Sequence, residues 1–173
     1  MLWLLITMSS SGASAADTKP RDATLNVCYA EGMALRILQF GLYFIGLAAI
    51  LIGSSIALIG IERTGQFFVW VLSWIGDSGP LSDLGQPNDD SELRFYSVFF
   101  IAYGALLIQA ARKPIKYARR IPLLLALFFA GGVVRAVSYI QVGTPQDLFI
   151  LLMAIELIMP IVLYICWRAA KLT

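Results

Sequence analysis

The sequence predicts an all-α membrane protein, a four-transmembrane-helix antiparallel bundle with an interfacial aromatic helix in its first outer loop. Three observations carry that reading. Mean hydropathy is +0.78, with 59% hydrophobic and only 14% charged residues, a balance outside that of soluble domains. Four apolar stretches approach the roughly 20 residues that cross a hydrocarbon core of about 30 Å. Basic residues gather in one connection and acids in another, which orients the spans.

Residues 1–30 read as a flexible tail outside a four-helix membrane domain at 31–173. The opening "MLWLLITMSSSGASAAD" joins a short apolar run to small residues at Ala13, Ala15 and Ala16, as signal peptides do, but lacks their positive n-region. It is either an uncleaved signal-like segment or sequence ahead of a true start at Met8. No hydrophobic run precedes Cys28, which argues against a lipid-modified cysteine. Cys28 and Cys166 have no metal-like spacing and read as structural or incidental.

The first span covers residues 34–60. Gly46, Ala49, Gly53, Ala57 and Gly60 repeat there at helical spacing and form a small-residue face for close helix approach. Such a face serves either packing within the bundle, the simpler reading, or a dimer seam. In the long connection that follows, Gly65 to Ile75 is rich in Phe and Trp but too short to span, so it is expected in the interface. The rest of that connection, with Pro80, Pro87, Asp77, Asp83, Asp89 and Asp90, is a loop.

The remaining spans are placed at 92–111, 121–140 and 147–167. Between the second and third, "RKPIKYARR" carries Arg112, Lys113, Lys116, Arg119 and Arg120. The positive-inside rule makes this connection and both termini cytoplasmic, with the acidic loop outside. Short second and third connections make consecutive spans antiparallel neighbours.

Charges inside the spans then need partners, because an unpaired Arg or Asp at a helix centre costs roughly 2.5–3.5 kcal/mol on insertion scales. Arg135 lies six residues before Gln141 and Glu156 nine residues after Asp147, which sets them about 9 and 13 Å below the outer boundary at about 1.5 Å per residue. They are the natural pair. With Glu92 and Arg94 at the start of the second span they make a neutral four-charge network at the outer end. Tyr96, Tyr103, Ser138 and Tyr139 extend it into a polar, outward-opening pocket roofed by the aromatic segment. Gly131 and Gly132 admit a close neighbour beside Arg135, and Pro160 leaves the Glu156 carbonyl without its helical donor and predicts a kink. The competing reading is architectural, with Arg135 and Glu156 locking two helices together.

The runs "NDDSELRFYSVFFIAYG", "FFAGGVVRAVSYIQVGTP" and "AIELIMP" resemble the bacterial membrane family catalogued as domain of unknown function 4345, over about Arg36 to Trp167. The resemblance implies a four-helix membrane protein in which the positions of Glu92, Arg94, Gly132, Arg135, Ser138 and Glu156 recur. It supplies no biochemical role.

The absence of histidine removes imidazole haem and zinc ligands and every Ser-His or Cys-His nucleophile pair. No metal and no cofactor are expected, and the small net charge of +2 points away from nucleic acid. The first functional expectation is a non-enzymatic accessory or assembly subunit, docking on a larger membrane complex or on a second copy through the glycine face or the aromatic segment. The alternative is binding, or transport, of a small molecule, anion or lipid at Arg135 and Glu156. An enzyme using Glu92 or Glu156 as acid or base ranks third, since no nucleophile or phosphate loop accompanies them. The lipid bilayer is the one partner common to all three.

Overall fold

The computed structural model describes residues 19–74 and 86–172, and all regular structure among them is helical. Five helices follow one another: α1 (Lys19–Ile59), α2 (Ile61–Leu72), α3 (Pro87–Arg112), α4 (Ile121–Val142) and α5 (Asp147–Ala169). Four stretches are long and apolar enough to cross a membrane, namely Ala30–Ile59 within α1 and the whole of α3, α4 and α5. The chain is a multi-pass membrane protein. The signal-like segment, Met8 and the acids at Asp77 and Asp83 lie outside the described residues, as does the side chain of Cys28. Residues 19–30, expected in the tail, are instead helical and continue α1 backwards from the apolar stretch.

Helix ends follow local chemistry. Pro87 opens α3, where its missing N–H is no loss, and Asp89 and Asp90 in the first turn face the positive end of the helix dipole, as Arg112 faces the negative end. Gly143, at φ 114°, closes α4 with its N–H on the Tyr139 carbonyl at 3.2 Å. A single residue, Gly60 at φ 87°, separates α1 from α2.

The helices pack antiparallel as two hairpins. In the first, α1 lies on α3 through glycines: a Cβ at Gly46 would stand 2.9 Å from the Gly104 carbonyl oxygen, and one at Gly53 would stand 3.0 Å from that of Ser97. Only hydrogen at those positions allows this approach. In the second, α4 lies on α5, where a Cβ at Gly132 would meet the Glu156 Cβ and Leu157 at 3.0 Å. The hairpins join where α5 meets α1, with Leu163 against Gly41.

Neighbour order therefore differs from the expectation of sequential packing. Helices α3 and α4, joined by a short connection, touch little, because the small face of α3 is committed to α1 and residues 113–120 are long enough to let the two helices part. The main bridge between them is Tyr103, whose hydroxyl donates to the Leu124 carbonyl at 2.7 Å while its ring stacks on Phe128.

The core is lopsided as a result. Its fully buried members, Leu38, Leu42, Leu107, Ile121 and Leu163, all lie in the half of the bundle nearer the basic connection. Toward the opposite end, where α2 sits, the hairpins enclose a cavity instead. Outward-facing Phe40, Phe44, Leu51, Phe95, Val134 and Ile158 are exposed, the expected surface for helices solvated by lipid.

Candidate functional site

Among the described residues two ion pairs form at the α2 end, and they are separate. Arg94 Nε donates to Asp90 Oδ2 at 2.7 Å along α3, and its Nη1 donates to the Ala57 carbonyl in the last turn of α1 at 2.8 Å. The other oxygen of Asp90 accepts from the Ile61 N–H, the first of α2, at 3.4 Å. One pair of side chains thus caps the end of one helix and the start of the next, groups that no helix satisfies internally. The corner leaves no room for a side chain at Gly60, where a Cβ would come within 2.8 Å of both Asp90 and Arg94. A positive φ favours glycine there as well.

The second pair joins the other hairpin. Arg135 Nε donates to Glu156 Oε2 at 2.8 Å, with side-chain exposures of 37% and 10%. Gly132, one turn earlier on α4, lets α5 approach closely enough to seat Glu156. The Arg135 guanidinium also lies 5.8 Å from the centre of the Phe149 ring. Pro160 is buried and α5 runs through it without interruption, leaving the Glu156 carbonyl without its helical donor.

The four-charge network predicted from sequence is therefore corrected to two local pairs. Glu92 is exposed and belongs to neither. Asp90 stands four residues before Arg94, on the same helical face, whereas Glu92 stands two residues away and points elsewhere. That spacing was the overlooked signal.

Between the pairs lies a cavity of about 340 Å³. Helix α2 covers it with Ile61, Thr64, Gly65 and Phe68, and its walls include Ile56, Leu93, Phe100, Leu148 and Leu152. It is apolar rather than the polar pocket expected. The Thr64 hydroxyl already donates to the Gly60 carbonyl at 2.7 Å and that of Ser97 to the Arg94 carbonyl at 2.6 Å. Tyr96 reaches the cavity wall, and among the described residues Arg135 is the one charged residue lining it. Among the described residues Arg135 has one hydrogen-bonded nitrogen, Nε, so both Nη groups keep their donors. Tyr103 binds α4 instead, and the exposed Ser138 and Tyr139 do not line the space. Thr64, Ser97 and Phe149 were not foreseen, since nothing in their local sequence separates them from other span residues.

Gly46 and Gly53 are spent on α3, so the glycine stripe is packing within the chain and presents no face to a partner. Gly131, on an exposed turn, is less crowded, since a Cβ built there would still stand 3.9 Å from the Glu156 carboxylate. No group of three or more potential metal ligands occurs among the described residues.

A family model described as a domain of unknown function (DUF4345) matches residues 37–167, a stretch containing both ion pairs and the whole cavity wall. No curated protein and no solved structure matches the chain.

Proposed function

The chain belongs to the DUF4345 family, whose description leaves the role to be read from the site, and we propose that it is a non-enzymatic membrane protein that binds a small amphipathic molecule under α2. The observation that carries this reading is the disposition of Arg135. Its Nε is held by Glu156, its two Nη groups have no protein acceptor among the described residues, and the residue lines an apolar cavity. Because Glu156 neutralises the charge, what the site offers is donor capacity in a low dielectric, suited to an acceptor oxygen such as a carboxylate or carbonyl. The surrounding side chains suit an apolar body, in the pattern of ligand pockets with few placed polar groups.

In this reading the basic connection faces the cytoplasm of a bacterium, both termini lie on that side, and the cavity belongs to the outer half of the inner membrane. Helix α2 lies along the interface. Its 12 residues are too few to cross, and Phe67, Trp70 and Trp74 form an exposed aromatic row. That same row supports the second reading, an accessory subunit held by α2 to a larger membrane complex.

Native mass spectrometry of the protein gently extracted from its own membrane separates the two. A defined small molecule on the lone chain, lost in Arg135→Gln and kept in Arg63→Gln, is the expected result. A bare chain that dodecanoic acid and its methyl ester both fail to stabilise against heat would sink the binding reading. A stoichiometric protein partner released by Trp70→Ser would favour the accessory role.

A further inference from the structure

At the opposite end, the connection between α3 and α4 closes a groove of about 980 Å³ with α1 and the end of the chain. The connection is fixed in place. Trp167 Nε1 on α5 donates to the Ala118 carbonyl at 3.1 Å, and the Tyr117 carbonyl accepts from the Arg120 and Ile121 N–H groups at 2.8 and 3.2 Å. Two of its cations share one ring, since Lys116 Nζ and the Arg120 guanidinium lie 5.5 and 5.4 Å from the centre of the Tyr117 ring. One aromatic side chain thereby gathers two charges that would otherwise repel each other.

Arg119 and Lys171 add to the rim, and the one acid among the described lining residues, Glu31, is ion-paired with Lys171. The lining also carries the apolar Leu35, Ile115 and Leu172. Membrane orientation by basic residues requires their number, but neither the ring that holds them nor the groove beneath. A phosphate suits Arg and Lys donors of this kind, and the apolar residues at the end of the spans suit acyl chains.

We propose that this groove is a binding site for the headgroup of an acidic phospholipid, distinct from the cavity under α2. A lipid fits better than a soluble phosphate because Ile115 is 79% exposed beside the cations, an apolar contact that a free anion does not use.

The full chain in detergent, titrated with phosphatidylglycerol and phosphatidylcholine of matched acyl chains and read by native mass spectrometry, tests this. Phosphatidylglycerol should be retained about tenfold better. That preference should collapse in Lys116→Gln combined with Arg120→Gln. Because that variant removes charges that also orient the chain, the wild-type protein supplies a second reading: the preference should fade between about 0.1 and 1 M salt as screening shortens from about 10 to 3 Å. Equal retention of the two lipids, or a preference indifferent to salt, overturns the proposal. Displacement of phosphatidylglycerol by inorganic phosphate at equal concentration overturns the lipid as the occupant and leaves a soluble-anion site.

Discussion

Arg135 and Glu156 make a pair whose worth depends on what replaces it. Arg135→Leu leaves a carboxylate in the membrane without its cation, and should destabilise the protein in detergent by about 1–3 kcal/mol. The figure falls below that of a deeply buried pair because the Arg135 side chain is 37% exposed. Adding Glu156→Leu should recover stability to within about 1 kcal/mol of wild type, since two leucines leave nothing unpaired. Thermal unfolding of the four species of this cycle checks both figures, and no recovery in the double variant would mean that the two residues act apart. Ligand retention should stay lost in that double variant, which separates a binding role from a purely architectural one. The pairing was legible from depth alone, because two opposite charges on antiparallel helices fell at similar heights. Asp90 was not, because three further acids in the same connection made it look like ordinary loop charge. Arg94 was assigned to the wrong network for the same reason.

Helices were easier to read than their ends. The four spans agree with sequence to within a few residues at most ends, because 20-residue apolar runs admit few alternatives in a bilayer. Helix α2 begins at Ile61 rather than Gly65, since its start is set by a clasp from α3 that no local propensity encodes. The glycine face of α1 was visible as a pattern, but its partner was not. Whether a stripe meets lipid, a second copy or α3 depends on matching small residues elsewhere, here Gly104. Gly104→Ala places a Cβ 2.6 Å from the Gly46 carbonyl oxygen, and a backbone atom yields little. It should cost about 1–3 kcal/mol in detergent unfolding. Gly32→Ala, on the same α1 with nothing within 4 Å of the new methyl, should instead be neutral or stabilising by up to about 1 kcal/mol through helix propensity. Equal effects from the two substitutions would mean that the α1–α3 contact is looser than described.

Across the whole molecule, the all-α membrane class followed from composition, whereas the order of helices around the bundle did not. Short connections suggested a ring of sequential neighbours. The structure instead places α1 between α3 and α5, an outcome of steric fits at Gly41, Gly46 and Gly53 that no periodicity reveals. The cavity follows from that order, because two hairpins joined along one side and parted on the other leave space where the core stops. The arrangement has a consequence for biogenesis. The covalent link between the hairpins runs through residues 113–120, while their cohesion runs through the contact of α1 with α5. Cutting the gene between Pro114 and Ile115 and expressing the two fragments together should therefore yield halves that find each other in the bilayer and co-purify through a tag on one. Failure to co-purify would show that the peptide chain itself, rather than the contact between finished halves, is what brings the molecule together.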